Sequence, residues 1–318
     1  MEKYFENFQN PAHEKYPRPF FFIEVDASKI EEDELAAVTS LSAENLGYSG
    51  FAVNAQFMQH GYLSEDFFKK YKIILEEAKK RNLKICLYDE NGCPSGSAYG
   101  LFAKEYPNDT VKRLDKLEWE ICGPAHFEKR IESDGTCMAA VGMNMETKER
   151  IDLSAFLRAE GSVGFDIECE LPLGRWKIMV FLCVKDGSQY VDYLSEESVK
   201  KFIELTHGKY YRHFPEYFGN VIDSAFYDEP AMMGEHPWMT GGRLVREGRM
   251  WTPGFNEAFE NIFGESAALH YPALWYDIGE GTQESRFKLI HVRAELFERY
   301  IHTMADWCEE HMIQLTGH

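Results

Sequence analysis

The sequence predicts an α/β protein of the (β/α)8 TIM-barrel type, incomplete within this chain, with a small antiparallel β-sandwich inserted into it. Short apolar segments end in carboxylates, as parallel strands do when their carboxyl ends open to solvent. One helix-then-strand unit occurs twice, and successive parallel strands need crossover helices. Between the two copies, apolar and polar residues alternate with a period of two, which indicates antiparallel strands.

The composition excludes several classes of protein. The chain has 318 residues, 44% hydrophobic and 27% charged, which excludes a disordered or fibrous protein. A formal charge of −19 repels polyanions, so we expect no nucleic-acid partner. Its apolar runs are shorter than the roughly 20 residues that span a bilayer, so we expect no membrane partner. Seven cysteines without a CxxC pair predict reduced thiols, and the N-terminus lacks an apolar signal segment, so the expected location is cytoplasmic.

The first unit of the predicted barrel begins at an apolar segment, 20–26, which predicts a strand ending at Glu24 and Asp26. A helix over 31–44 and a strand over 50–55 follow. Ser64 is predicted to cap a helix whose apolar positions 67, 68, 71, 74, 75 and 78 form one buried face. The next strand, 83–88, ends at Asp89 and Glu90.

The same unit recurs in the second half of the chain. The tetrapeptide YLSE at 62–65 returns at 193–196, and each copy closes on a strand ending in Tyr-Asp-Glu, at 88–90 and 227–229. We predict a helix over 195–214, a strand over 221–227, a helix over 256–263 and a final strand over 312–316. A long helix over 284–311 is predicted to bury one face, which consists of Phe287, Ile290, Ala294, Phe297, Ile301 and Cys308. These are five barrel strands where closure needs eight, so either the chain is a fragment or the sheet stays open.

The predicted organisation is a barrel over 1–111 and 193–318, interrupted by a β-sandwich-like domain over 112–192. The insertion has predicted strands at 114–121, 136–142, 165–171 and 176–184, separated by Gly-Pro, Asp-Gly and Leu-Gly turns. Loops of a barrel tolerate such insertions because the ends of a loop lie close together at the surface.

Two carboxylate pairs are the candidate chemistry. Asp89 with Glu90, and Asp228 with Glu229, follow predicted parallel strands, where α/β folds assemble active sites. Glycoside hydrolysis needs one carboxyl group to protonate the leaving oxygen and another to activate water or attack carbon. Glu229 is the candidate acid, because Pro230 ends its strand and directs it over the mouth of the barrel. Alternatively, these carboxylates cap helices or pair with Lys and Arg.

Other motifs indicate less. The loop 91–97 lacks the Lys-Ser/Thr ending of a P-loop and the GxGxxG spacing of a dinucleotide site. It is interpreted as a tight turn that shapes the pocket floor. Neither a GxSxG elbow nor an HExxH or EF-hand motif occurs, so no metal site is assigned. His236 and His318 are candidates for binding sugar hydroxyls or a metal, or are ordinary surface histidines. Trp238 and other aromatic residues of 230–280 either stack on sugars or pack a long loop.

These residues carry a resemblance to a known family. The segment from Pro19, the runs YLSEDFFKKYKIILEEAKKRNLKICLYDENGCPSG and VDYLSEESVKKFIELTHGKYY, and the motifs FYDEP and QLTGH resemble the N-terminal barrel region of the α-L-rhamnosidases of glycoside hydrolase family 106. The resemblance implies an inverting, calcium-dependent TIM-barrel enzyme that cleaves plant or microbial polysaccharides. It implies Glu229 as the general acid. The residues expected to bind substrate are Glu24, Asp26, Asp89, Glu90, Asp228, Trp238 and His318.

The sequence also departs from that family. Strand one reads Phe-Ile-Glu-Val-Asp where the family has tryptophans and an asparagine, and Cys93 stands where the family has a tryptophan. The sugar-binding subsite is therefore expected to differ. The family's members are longer, and the general base is expected beyond His318. The chemistry itself needs no cofactor besides the calcium that the resemblance implies. The alternative function is a degenerate barrel that binds carbohydrate without cleaving it.

Overall fold

The computed structural model describes residues 2–22, 31–44, 46–54, 61–159, 163–230 and 249–318. The described strands are β1 (Phe20–Phe22), β2 (Gly50–Asn54), β3 (Lys84–Tyr88), β4 (Lys112–Ile131), β5 (Thr136–Asn144), β6 (Arg150–Asp152), β7 (Leu157–Ala159), β8 (Phe165–Lys185), β9 (Ile222–Tyr227), β10 (Arg249–Trp251) and β11 (Gln314–Gly317). The described α-helices are α1 (Glu2–Gln9), α2 (Glu32–Glu44), α3 (Glu65–Lys80), α4 (Leu101–Glu105), α5 (Glu196–Leu205), α6 (His207–His213), α7 (Phe255–Phe263) and α8 (Thr282–Glu310).

A parallel sheet in the order β1-β2-β3-β9-β11 forms the frame of the fold. All its neighbours pair in parallel, and one row of partners crosses it from Phe21 through Val53, Leu87 and Ala225 to Leu315. The three central members of this row are buried, as expected for parallel strands covered on both faces. The five strands predicted for the barrel are thus present as a curled half-barrel, and the described residues do not form a complete barrel.

Helix α3 confirms the prediction made for it. The hydroxyl of Ser64 accepts a hydrogen bond from the backbone N–H of Phe67 at 3.3 Å, as an N-cap does. All six residues expected on its apolar face are buried. The helix therefore buries the side predicted from its spacing, and Phe67 and Phe68 of that side pack on Tyr210 of α6.

Two helical predictions need correction. The helix predicted over 195–214 is broken at Thr206, whose hydroxyl donates to the carbonyl of Phe202 at 2.8 Å and whose ψ is −86°, so α5 and α6 are separate helices. On α8 the predicted face is wrong in the first half of the helix, where Phe287 and Ile290 are 65% and 56% exposed, and correct at the buried Cys308. The buried stripe of α8 includes Arg293 and otherwise consists of Thr282, Ser285, Leu289, Val292, Leu296, Tyr300, Met304 and Cys308.

The insertion forms a second, antiparallel sheet in the order β10-β4-β8-β5-β6, with β7 also paired to β8. A sandwich of two separate sheets is not confirmed, because all the described strands of the insertion join this one sheet. Along β8, residues 178, 180 and 182 belong to one apolar cluster and residues 179, 181 and 183 to the main core, as a period of two requires. Phe181 stacks on Tyr271 at 5.1 Å between ring centroids, so this sheet packs directly on the elements that follow β9.

The described helices differ from membrane-spanning ones. None of them, the 29-residue α8 included, combines the length and the apolar character that crossing a bilayer requires.

Candidate functional site

The carboxyl ends of β9 and β11 place three of the predicted residues together. Asp228 and Glu229 follow β9, and His318 follows β11, its neighbour in the sheet. The backbone pairing continues past both strands, because the N–H of His318 donates to the carbonyl of Tyr227 and the N–H of Glu229 donates to the carbonyl of His318, each at 3.1 Å. The sheet itself therefore fixes the positions of these residues.

Their side chains form an acid–imidazole cluster of Asp228, Glu229 and His318, whose potential ligand atoms all lie within 4.8 Å of one another. Nδ1 of His318 lies 3.5 Å from Oδ1 of Asp228 and 3.3 Å from Oε1 of Glu229. The side chain of Glu229 is 41% exposed, so solvent reaches it. Its φ is +47°, a left-handed conformation that strains a residue with a Cβ atom. Such strain is frequent at functional sites.

Asp228 is the more enclosed carboxylate of this cluster. Its Oδ2 lies 2.5 Å from the hydroxyl of Tyr88. The hydroxyl of Ser95 accepts a hydrogen bond from the backbone N–H of Asp228 at 2.8 Å. The backbone N–H of Ser95 donates to the carbonyl of Asp228 at 2.7 Å. The last residue of β3 and the loop that follows it are therefore attached to the end of β9 at three points, one through Tyr88 and two through Ser95.

Asp89 occupies a different environment from Asp228. It is 1% exposed, its Oδ1 accepts a hydrogen bond from Ser95, and its Oδ2 has no hydrogen-bond partner among the described residues. Burial, with the neighbouring carboxylates of Glu90 and Asp228, raises the pKa of Asp89 well above its usual range. Asp89 therefore lies beneath the mouth of the site, where it favours the protonated form, and the substrate contact predicted for it stays a prediction.

Glu90 organises the loop that follows it. Its two carboxylate oxygens accept five backbone N–H bonds, of 2.6 to 3.2 Å, from Asn91, Gly96, Ser97, Ala98 and Tyr99. Burial raises the pKa of Glu90, and these N–H groups oppose the shift because they favour the carboxylate. With both oxygens committed to the backbone, Glu90 acts as the internal anchor of residues 91–99. Its predicted contact with substrate is untested.

A cleft of 540 Å³ opens beside this loop. It lies between the loop after β3 and the segment 187–190, which follows β8 and leads back from the insertion. Cys93 lines the cleft, and its thiol also lies near the carboxylates of Asp228 and Glu229: burial and these two charges raise its pKa. The prediction that the loop 91–97 shapes a pocket is consistent with this arrangement.

Sequence reasoning missed the other wall of the cleft. Residues 187–190 fall within the insertion predicted over 112–192, and none of them carries a motif that indicates a site. Nothing in their spacing relates them to a loop that lies about 90 residues earlier in the chain.

Several other predicted residues cannot be placed at the site. Glu24, Asp26, His236 and Trp238 lie outside the described residues. Among the other aromatic residues of 230–280, Trp251 and Tyr271 are fully buried, and the indole N–H of Trp251 donates to the hydroxyl of Tyr271 at 3.2 Å. These two side chains pack the core, which agrees with the interpretation of this region as a packed loop.

The donor atoms of the acid–imidazole cluster bear on whether it could hold a calcium ion. Calcium binds about six to eight oxygen atoms. The described cluster supplies two carboxylates and one imidazole, which are fewer oxygen donors than calcium usually takes from a protein. The calcium implied by the resemblance therefore stays a prediction, and no step proposed below passes through a metal ion.

Comparisons with known proteins support the fold. No family model and no curated protein sequence matches the chain. Among solved structures, a rhamnosidase from Novosphingobium sp. PP1Y is similar, with a TM-score of 0.67 and 13% sequence identity. The match covers 98% of this chain and 46% of that one, so this chain spans less than half the length of the rhamnosidase. At this identity the likeness shows that the two chains share a rhamnosidase-like fold.

Proposed function

We propose that this protein is a glycoside hydrolase in which Glu229 is the general acid. The observation that carries the proposal is the convergence of Asp228, Glu229 and His318 at the carboxyl ends of β9 and β11, the place where α/β barrels perform catalysis. The rhamnosidase-like fold supports a glycosidase. By the resemblance described above, the proposal extends to an inverting α-L-rhamnosidase that acts on polysaccharides.

The environments of the two carboxylates suggest different roles for them. Glu229 is the more exposed of the pair and can reach the oxygen of a departing sugar or alcohol, to which it gives a proton. Asp228 is held by Tyr88 and is suited to binding a substrate hydroxyl from a fixed position. His318, which is near both, is accessible for a second hydroxyl contact. An inverting enzyme also needs a base on the opposite side of the sugar, and none of the described residues is assigned to that role.

The test is a comparison of leaving groups. Glu229→Gln should lower turnover of phenyl α-L-rhamnoside, whose leaving group needs a proton, by at least about a hundredfold, the usual scale of general acid catalysis. The loss should shrink with a dinitrophenyl leaving group, which departs without a proton. Glu105→Gln, at an exposed glutamate of α4, is the control. Equal turnover by Glu229→Gln and the wild type on both substrates would exclude Glu229 as the acid.

A carbohydrate-binding barrel without hydrolytic activity is the second candidate. The burial of Asp89 and Glu90 favours it, because the first Tyr-Asp-Glu copy serves the loop after β3 and offers no second exposed carboxyl pair. Sugar binding by the whole protein without release of any aryl group would support this candidate against the first.

A further inference from the structure

We propose that the 540 Å³ cleft is a subsite for a neutral sugar residue, formed jointly by the loop after β3 and the segment 187–190. This subsite deepens the proposed function, since it would hold a second part of the same substrate. Its volume lies within the range of about 300 to 1,000 Å³ that is common for small-ligand pockets.

An unpaired buried amide points to a ligand in this cleft. Asn91 lines the cleft and is 9% exposed, yet neither its Oδ1 nor its Nδ2 has a hydrogen-bond partner among the described residues. Buried polar groups are nearly always paired, so an amide in this state is a place where a partner is expected. An amide offers both an acceptor and two donors, which matches the hydroxyl groups of a sugar, since each hydroxyl donates and accepts.

The rest of the lining favours an uncharged ligand. Ser97 and Gln189 add neutral polar groups, and the buried Oγ of Ser188 also has no partner among the described residues. The described lining contains neither Lys nor Arg, and its one charged member is Glu90, whose oxygens are occupied by backbone N–H groups. A phosphate or a sugar acid would find no cation here, and it would meet the negative charges of nearby carboxylates.

Two aromatic rings complete the lining. Tyr99, which is largely exposed, and Tyr190, which is half-buried, both line the cleft. A tyrosine presents an apolar ring face together with a polar hydroxyl, a combination that suits the C–H face and the hydroxyl edge of a sugar ring. The cleft therefore combines flat apolar surface with a few neutral hydrogen-bonding groups, as expected for carbohydrate.

The cleft is built into the fold and is adjacent to the acid–imidazole cluster. Glu90 fixes the loop on one side, and Gly100 of that loop approaches the side chain of Gln189 so closely that a Cβ at position 100 would clash with it. The hydroxyl of Tyr88 lies 2.8 Å from the carbonyl oxygen of Gly92, between the cleft residues Asn91 and Cys93, and 2.5 Å from Oδ2 of Asp228. A sugar in the cleft therefore lies next to the carboxylates, in the position of a neighbouring unit of the same chain.

Binding measurements test the subsite without requiring turnover. Calorimetry on the Glu229→Gln protein with methyl α-L-rhamnoside and methyl β-D-glucoside should detect binding of at least one of them, and D-glucuronate should bind at least tenfold more weakly. Asn91→Ala should weaken the binding about tenfold or more, whereas Asn261→Ala, at an exposed asparagine of a different groove, should leave it unchanged. If Asn91→Ala does not fold, Gln189→Ala, at an exposed side chain, makes the same test.

Thiol protection locates the ligand independently. Cys93 and Cys122 are both exposed, but Cys122 lies on β4 and is not among the residues lining the cleft. A bound neutral glycoside should slow alkylation of Cys93 by iodoacetamide severalfold and leave Cys122 unaffected, as measured by peptide mass spectrometry. Unchanged alkylation of Cys93 at a saturating glycoside concentration would overturn the subsite.

The outcomes separate this inference from the proposed function. Protection of Cys93 in a protein that never cleaves a glycoside supports the subsite and contradicts the hydrolase. Hydrolysis whose KM is unaffected by Asn91→Ala and Gln189→Ala contradicts the subsite alone. Equal binding of glucuronate and of the neutral glycosides contradicts the assignment to an uncharged sugar.

Discussion

The hydroxyl of Tyr88 lies 2.5 Å from Oδ2 of Asp228. Tyr88 ends β3 and Asp228 follows β9, so this contact joins the ends of two neighbouring strands. Burial, together with the Asp228 carboxylate, raises the pKa of Tyr88, so the phenol keeps its proton and donates it in a hydrogen bond. This contact holds Oδ2 and leaves Oδ1 of Asp228 on the side of His318.

Tyr88→Phe tests whether this contact positions Asp228. Removing the hydroxyl should lower the free energy of unfolding by about 1 kcal/mol, the typical net value of one hydrogen bond. Turnover of an aryl glycoside should fall about tenfold, because Asp228 gains alternative orientations. Urea unfolding and steady-state kinetics measure the two effects, with Tyr16→Phe at an exposed ring as the control. Unchanged turnover would show that Asp228 needs no support from Tyr88.

Glu90→Gln tests the anchor of the loop 91–99. The substitution keeps the size of the side chain but turns an NH2 group toward backbone N–H donors that now bind an oxygen. Loss of a buried charge that satisfies five donors should lower the free energy of unfolding by about 2 to 4 kcal/mol. Chemical denaturation measures the loss, and Glu105→Gln should change stability by less than about 0.5 kcal/mol. A stability equal to that of the wild type would contradict the anchoring role.

Asp89→Asn should reveal a destabilising charge. The pKa of Asp89 is higher in the folded state than in the unfolded chain, where the pKa of an aspartate is about 4. Above about pH 4 the unfolded chain therefore loses this proton first, and the free energy of unfolding of the wild type falls as the pH rises. The variant does not titrate at this position, and its amide oxygen can still accept from Ser95. The stability of the variant relative to the wild type should therefore rise by up to about 1.4 kcal/mol per pH unit above about pH 4. Denaturation series from acid to neutral pH measure the difference, and a constant difference would contradict the buried acid.

His207 should produce the opposite pH dependence. Burial, with a smaller effect of His311, lowers the pKa of His207 to about 4, whereas in the unfolded chain it is about 6.5. Stability contributed by the neutral ring is present above about pH 6.5 and is lost as the pH falls toward 4, by roughly 3 kcal/mol in total. His207→Phe, which retains a ring against Trp307, should lack this loss. If the variant and the wild type lose stability in parallel between pH 6.5 and 4, His207 is not the group responsible.

Local patterns predicted the elements of the half-barrel well, and their limits have physical causes. The apolar residues of α3 all lie on one buried face, where Phe67, Phe68 and Tyr71 also pack on Tyr210 of α6, so their spacing identified that face. In the first half of α8 the buried residues include Ser285 and Arg293, while Phe287 and Ile290 are exposed. Hydrophobicity alone therefore predicted the wrong buried residues there. The break at Thr206 is a change of its backbone ψ to −86°, and the apolar periodicity continues across it, so the spacing contains no sign of the break.

The candidate site was likewise predicted in part. Position at strand ends brought Asp228, Glu229 and His318 into one cluster, because parallel strands end at one edge of the sheet. The two Tyr-Asp-Glu copies looked equivalent in sequence, yet the backbone of the loop after β3 turns around Glu90 and buries it. That difference depends on a loop conformation with five aligned N–H groups, and side-chain periodicity contains no information about it.

If the cleft binds a sugar as proposed, the segment 187–190 gives the inserted sheet an influence on ligand recognition that is separate from that of the proposed catalytic residues. Asp228, Glu229 and His318 are positioned by the pairing of β9 and β11, whereas one wall of the cleft is supplied where β8 returns to the half-barrel. Substitutions or changes of length in the insertion can therefore alter which ligand is accepted while the strand ends keep their geometry. In such a protein, specificity and reactivity can diverge at different rates during evolution.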